Sequence, residues 1–231
     1  MKQALLAGLD PLNIELDEAV VDRLVRFGTL VLEKNKVMNL TAITDPAQAA
    51  ELHLLDSLSL LKVLPLAGRS LLDVGTGAGF PGVPLKIAQP ELRLTLLDSL
   101  QKRMNWLEQE ALPELQLEAR FLTGRAEAFA REFPERFDVV ASRAVAQLNL
   151  LCELCLPFVR VGGCFLALKG AMASEELAQA GRAIRTLGGS FERTECFEIG
   201  GVQHKVIVIR KTAHTPPQYP RSWSRMKQKP L

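Results

Sequence analysis

The run DVGTGAGFPG, residues 73–82, concentrates the residue types that hold a nucleoside. Counted from Gly77 it is G-x-G-x-x-G, and Asp98 follows at about the spacing of a ribose-binding acid. Counted from Asp73 it is D-x-G-x-G-x-G, the loop with which many methyltransferases hold S-adenosylmethionine. Both readings place glycines where backbone must approach a ligand at the end of a strand. Asp73 and Pro81 separate them. Asp73 is a carboxylate in an apolar strand, where a dinucleotide fold needs no charge and burial demands a polar partner. Pro81 has no N–H to offer a pyrophosphate, and S-adenosylmethionine has no phosphate to cradle. The balance favours a methyltransferase. A nicotinamide-dependent oxidoreductase and a small-molecule methyltransferase stand as alternatives.

Such a loop needs a sheet behind it. After Gly68, short apolar runs alternate with helical segments, the pattern of a parallel sheet. Strands are expected at 70–74, 92–98, 117–123, 137–142 and 164–169, and helices near 82–89, 101–112, 126–132, 147–160 and 174–187. The segments 190–199 and 204–211 follow one another closely and read as an antiparallel pair at the sheet edge. Ahead of the sheet, apolar residues recur at helical spacing from Asp17 to Lys36, and a second helix is expected from Pro46 to Leu64. The expected fold class is therefore α/β and Rossmann-like: a mostly parallel seven-stranded sheet with a terminal antiparallel pair and an N-terminal helical extension. The divisions are 1–68 for the extension, 69–211 for the cofactor-binding domain and 212–231 for a basic tail, within one globular unit.

A chain of 231 residues, 48% hydrophobic and 23% charged, is long enough to bury a full core. Its first residues offer only a six-residue apolar run before Asp10, and no run approaches a membrane span, so a cytoplasmic protein is expected. Nothing calls for a membrane or an obligate protein partner. Cys152 and Cys155 form a C-x-x-C, but they lie in an apolar helical run with no further ligand pair, which makes them core residues. A net charge of +2 announces no partner by itself. The tail does more: residues 211–231 carry Lys211, Arg221, Arg225, Lys227 and Lys229 with no acid, interleaved with Tyr219 and Trp223. That mixture suits phosphates and unstacked bases.

Several runs in order along nearly the whole chain resemble the RsmG (GidB) family, bacterial 7-methylguanosine methyltransferases of small-subunit ribosomal RNA. They are NLTAI (39–43), H-x-x-DSL (53–58), LLDVGTGAGFPGVPLKI (71–87), LLDSLQKR (96–103), SRAVAQL (142–148), LKG (168–170), YPR (219–221) and KPL (229–231). The chain departs most at SWSRM in the tail, where many relatives have a glycine and a proline. The resemblance implies S-adenosyl-L-methionine as cofactor and, as partner, 16S rRNA or the small ribosomal subunit, with the guanine at position 527 of the 530 loop as target. It implies Gly75, Phe80, Ala126, Glu127 and Arg143 as cofactor-binding residues; Asp73, Gly77 and Asp98 join them from the reading of the loop.

Chemistry narrows the rest. Guanine N7 has a free lone pair, so methyl transfer needs no general base, and positioning should supply most of the acceleration. After the fourth strand the chain has Ser142-Arg143-Ala144, neither the N/D-P-P-aromatic tetrad of amine methylation nor a cysteine nucleophile. Arg143 and Lys169, at the carboxyl ends of strands, are expected to position the reactants. Arg125, Lys169, Arg221, Arg225, Lys227 and Lys229 are the expected RNA contacts, with Lys102 and Arg103 as further candidates. His53 and Asp56 are one helical turn apart and are expected to be structural or RNA-positioning.

Overall fold

A computed structural model describes residues 1–231. Strands β1 (Ser70–Val74), β2 (Arg93–Asp98), β3 (Arg120–Thr123), β4 (Phe137–Arg143), β5 (Val159–Lys169), β6 (Gly189–Ile199) and β7 (Val202–Lys211) form one seven-stranded sheet. Their order is β3-β2-β1-β4-β5-β7-β6. Neighbours from β3 to β5 pair in parallel, and β7 runs antiparallel to both β5 and β6. The order reverses direction between β1 and β4, and such a switch point opens a ligand crevice at the carboxyl ends of the strands.

Both faces of the sheet are covered, which is why the central strands are apolar throughout. Side chains alternate between faces along a strand. Leu71, Leu96, Val139 and Leu166 join one core with the helices Lys2–Leu9, Glu18–Met38 and Gly82–Ala88. Leu72, Leu97, Val140 and Phe165 join the other with the helices Ala126–Glu132, Leu148–Cys155 and Ala173–Thr186. The N-terminal helices thus share a core with the sheet. Cys152, Cys155 and Cys164 are buried, and burial pushes their thiols up, as core cysteines require. No helix is long and apolar enough to cross a membrane.

The structure departs from the sequence reading at several places. The N-terminal apolar run is a helix, Lys2–Leu9, which buries Leu5 and Leu9 at i, i+4 spacing. The helix expected over 147–160 ends early, because Pro157 sits in a single 3₁₀ turn, and β5 begins at Val159 rather than Cys164. The helix expected over 46–64 is interrupted by a π-helical stretch, Ala50–Leu55, which holds His53 and leads directly to Asp56. Such bulges recur at functional sites. Finally, the tail contains a helix, Trp223–Gln228, docked by the fully buried Met226.

Two of the five tail cations are interior, a correction to the charge reading. Lys211 is fully buried at the end of β7, donating to Leu156 O at 2.9 Å, to Leu187 O at 3.1 Å and to Thr215 Oγ1. Arg221 donates from Nε and Nη2 to the two oxygens of buried Glu153, at 2.8 and 2.6 Å, and its backbone N–H adds a third bond. The tail therefore closes the second core rather than hanging from it. Arg221→Ala strands a buried carboxylate and should cost about 3 kcal/mol of unfolding free energy; a denaturant melt unchanged from wild type would contradict this.

Candidate active site

Asp73 anchors the glycine loop from beneath. It is fully buried, and its Oδ2 accepts from Thr76 Oγ1 at 2.7 Å and from the Gly82 N–H at 2.9 Å. A Cβ at position 82 would meet that same Oδ2 at 2.9 Å and Leu96 at 2.8 Å, so glycine is required for the contact. Oδ1 is buried with no partner. Burial pushes the carboxyl up to about 6, in spite of the Thr76 and Gly82 bonds that favour its charge.

Asp98 ends β2 and holds the loop from the side. Its Oδ2 accepts from Gly77 N–H and its Oδ1 from Leu100 N–H, both at 2.9 Å. Each oxygen keeps a lone pair for a ribose hydroxyl. Gly75, at φ +73°, lies against Val145, whose Cγ2 would be 2.3 Å from any Cβ there. The loop and the segment after β4 are in van der Waals contact.

A cavity of about 400 Å³ opens above this floor, lined by Gly75 and Asp98, by Arg125, Ala126 and Glu127 after β3, and by Arg143 at the end of β4. A second, of about 530 Å³, is lined by Asp56, Lys169, Glu176 and His204. The two share Arg143, Ala144 and Val145, which form the partition between them. Of the residues assigned to the cofactor, Phe80 lies outside both cavities. Its ring is buried, stacked on His53 at 4.7 Å and packed on Phe27, because the helix Glu18–Met38 covers that side of the loop. Phe80 instead supports Arg143, whose guanidinium carbon lies 5.0 Å from its centroid. Asp73 and Gly77 serve the loop itself and do not line the cavities.

Arg143 is held from four directions. Nη1 donates to Leu52 O at 2.8 Å and to Asp56 Oδ2 at 3.0 Å, and Nη2 lies 3.2 Å from His53 Nδ1. His53 Nδ1 also lies 3.1 Å from Leu52 O, and its Nε2 lies 2.8 Å from Thr41 Oγ1, so both ring nitrogens are engaged. Burial, with the Arg143 charge beside it, lowers His53 to about 4, leaving it neutral near pH 7. Burial pushes Asp56 up, but the His204 bond at 2.8 Å and the Arg143 charge outweigh it and hold the carboxyl below its ordinary range. His53, on the π-helical stretch, and Asp56, just after it, are thus the sockets of Arg143.

Lys169 lines the second cavity with its charge already paired. Its nearly buried Nζ donates to Ala146 O at 2.6 Å and to Glu176 Oε2 at 2.7 Å, and that carboxylate also accepts from Leu148 N–H. Lys169 therefore pins the partition segment from its far side. Arg221 is structural, as described above. Arg125, Arg225, Lys227 and Lys229 are exposed, and Arg103 lines the first cavity while donating to Asn39 O at 3.3 Å.

The family model for GidB, rRNA small subunit methyltransferase G, matches residues 21–206. The chain belongs to that family. It is 44% identical to the ribosomal RNA small subunit methyltransferase G of Alkaliphilus oremlandii, with 100% of this chain and 99% of that protein covered. It is 40% identical to the protein of that name from Clostridium kluyveri, with 95% and 94% covered. Among solved structures, TrmN from Thermus thermophilus is similar at TM-score 0.53 and 24% identity, over 67% of this chain and 48% of that one. The antibiotic-resistance methyltransferase Kmr is similar at TM-score 0.52 and 18% identity, over 69% and 94%. These two likenesses concern the fold, which is that of the class I methyltransferases. The match to the GidB family spans the glycine loop, the partition and both sockets of Arg143, so the geometry described above belongs to the family's shared region.

Sequence reasoning missed three residues of this GidB-type site. His204 and Glu176 reach it from β7 and from the helix after β5, far along the chain, and neither sits in a motif. Trp223 lines the first cavity from the tail. Only the pairing of β5 with β7, Lys169 opposite Lys205, brings His204 to the rim.

Proposed function

We propose that this chain methylates N7 of a guanine in 16S ribosomal RNA, at position 527 by family resemblance, with S-adenosylmethionine as donor. The observation that carries the reading is the pair of cavities separated only by Arg143, Ala144 and Val145. The first fits the cofactor: a glycine cradle held in shape by Asp73 beneath it, and Asp98 for the ribose. The second is the place for the base. Bound S-adenosylmethionine supplies an electrophilic methyl group on a cationic sulfur.

The residues around the partition position reactants and move no proton. His53 is neutral with both ring nitrogens engaged, and Lys169 is neutralised by Glu176. Guanine N7 needs neither, since its lone pair is free before transfer. Gly75, Asp98, Ala126, Glu127 and Arg143 are assigned to the cofactor, Asp73 and Gly77 to shaping the loop that holds it, and Arg143 and Lys169 to positioning.

The rim supplies the RNA contacts. Arg125, Leu100, Val145 and Val202 line the cavities and are exposed, and Arg225, Lys227 and Lys229 are exposed along the tail that carries Trp223. Cations bind the phosphates while apolar groups take unstacked bases. Replacing Arg225, Lys227 and Lys229 by glutamine should flatten the salt dependence of RNA binding by about 0.7–0.9 log units for each phosphate no longer bound. An unchanged slope would remove the tail from the interface.

The function is tested by incubating the protein with methyl-labelled S-adenosylmethionine and small-subunit RNA, then separating nucleosides. Label should appear as 7-methylguanosine. Label in another nucleoside, or in a small molecule whether RNA is present or not, would overturn the proposal.

A further inference from the structure

Trp223 stands among the tail cations in sequence, but its ring lines the first cavity, beside Leu100 after β2 and Arg125 and Glu127 after β3. Its placement is fixed independently of any ligand. Met226, one turn along the same helix, is fully buried in the second core. Arg221, two residues before Trp223, is locked to buried Glu153 by three hydrogen bonds. The Arg125 guanidinium carbon lies 5.5 Å from the Trp223 ring centroid. Helical spacing sends Trp223 and Met226 inward and leaves Arg225 and Lys227 to solvent, so one short helix has a cavity face and a basic face.

We infer that Trp223 is a cofactor-binding residue, its indole forming the wall against which the flat base of the nucleoside packs. The wall is distant in sequence from the glycine loop but faces the same space as Asp98, Ala126 and Glu127. Asp98 is the ribose-binding acid, so the base extends from it toward the part of the cavity where aromatic, guanidinium and apolar groups meet. An indole offers a large rigid face at low entropic cost and stacks on any base. The C-terminal helix thereby belongs to the cofactor site as well as to the RNA-binding rim. The tail segment SWSRM, where the chain departs from many relatives, is the segment that supplies this wall.

The inference rests on the first cavity being the S-adenosylmethionine site, and the test separates the two. The chain has two tryptophans, and Trp106 is buried in the other core. In a Trp106→Phe background, emission reports Trp223 alone. Titration with S-adenosylhomocysteine should quench or shift that emission saturably. By calorimetry, Trp223→Leu should raise the Kd about 10-fold or more, and Trp223→Phe, which keeps an aromatic face, should raise it much less. Equal affinity for wild type and Trp223→Leu, or emission that S-adenosylhomocysteine leaves unmoved while calorimetry shows binding, would overturn the inference and leave the cofactor reading intact. No binding to wild type would overturn both. Should Trp223→Leu not fold, the emission titration and Trp223→Phe still decide, with unchanged emission counting against the inference.

Discussion

Arg143→Ala should lower kcat/KM for methyl transfer by about 100-fold or more and destabilise the chain by about 3 kcal/mol. The first effect follows from position. Arg143 lies on the partition shared by the two cavities, and its planar fork fixes Leu52 O, Asp56 and His53 together while resting on Phe80. Without it the partition loses its tie to the N-terminal helices, and a misplacement of about 1 Å costs about two orders of magnitude in rate. The second effect follows from Asp56, a buried carboxylate then left with His204 as its sole side-chain hydrogen-bond partner. Arg143→Lys separates the two. An ammonium restores a charge near Asp56 but cannot reproduce the three-way fork, so stability should return further than activity. Steady-state kinetics alongside denaturant melts measure both, and wild-type turnover by Arg143→Ala would remove Arg143 from the reaction.

Asp73→Ala should raise the Kd for S-adenosylhomocysteine about 100-fold. It deletes two hydrogen bonds to a carboxylate, each worth about 1.5–3 kcal/mol, that hold Thr76 and the start of the helix Gly82–Ala88 in the loop geometry. Affinity within a few-fold of wild type would show that the loop holds its shape without the clasp. The same residue gives the chain a pH signature. In the folded, ligand-free chain burial places its carboxyl at about 6 against an ordinary 3.8. Between those values the folded state binds the extra proton, so the Asp73 contribution to stability is fully present below about 4 and falls as pH rises through 6, by about 3 kcal/mol in all. His53, lowered to about 4 by burial and Arg143, acts in the opposite sense across nearly the same window. The wild-type profile alone therefore hides both. The difference in unfolding free energy between wild type and Asp73→Asn should fall from pH 4 to pH 7; a flat difference would place the Asp73 carboxyl in its ordinary range.

The sheet was legible because parallel strands buried on both faces are short apolar runs, and the glycine loop because its backbone needs no other residue type. Strand ends were less so. The expected strand 117–123 pairs only over Arg120–Thr123, opposite Thr95–Asp98, although β2 itself begins at Arg93. The charges misled most. Lys169, Lys211 and Arg221 look like phosphate ligands in sequence, yet Glu176, a set of carbonyls and Glu153 absorb them, and each partner lies between 7 and 68 residues away. A cation displays its charge in sequence but not its partner. His53 and Asp56, expected to be structural or RNA-positioning, are the seat of an arginine, a partner their spacing does not name. Phe80, expected to bind the cofactor, is instead a support beneath Arg143.

The most direct measurement of the central claim is borohydride reduction and aniline cleavage of 16S ribosomal RNA at 7-methylguanosine, mapped by primer extension. RNA lacking the modification should become cleavable at one guanine in the 530 loop after treatment with the wild-type chain and S-adenosylmethionine, and stay intact with the Arg143→Ala chain. Wild-type treatment that leaves the RNA uncleaved, or opens it at other guanines, would contradict the assignment of this site to guanine N7.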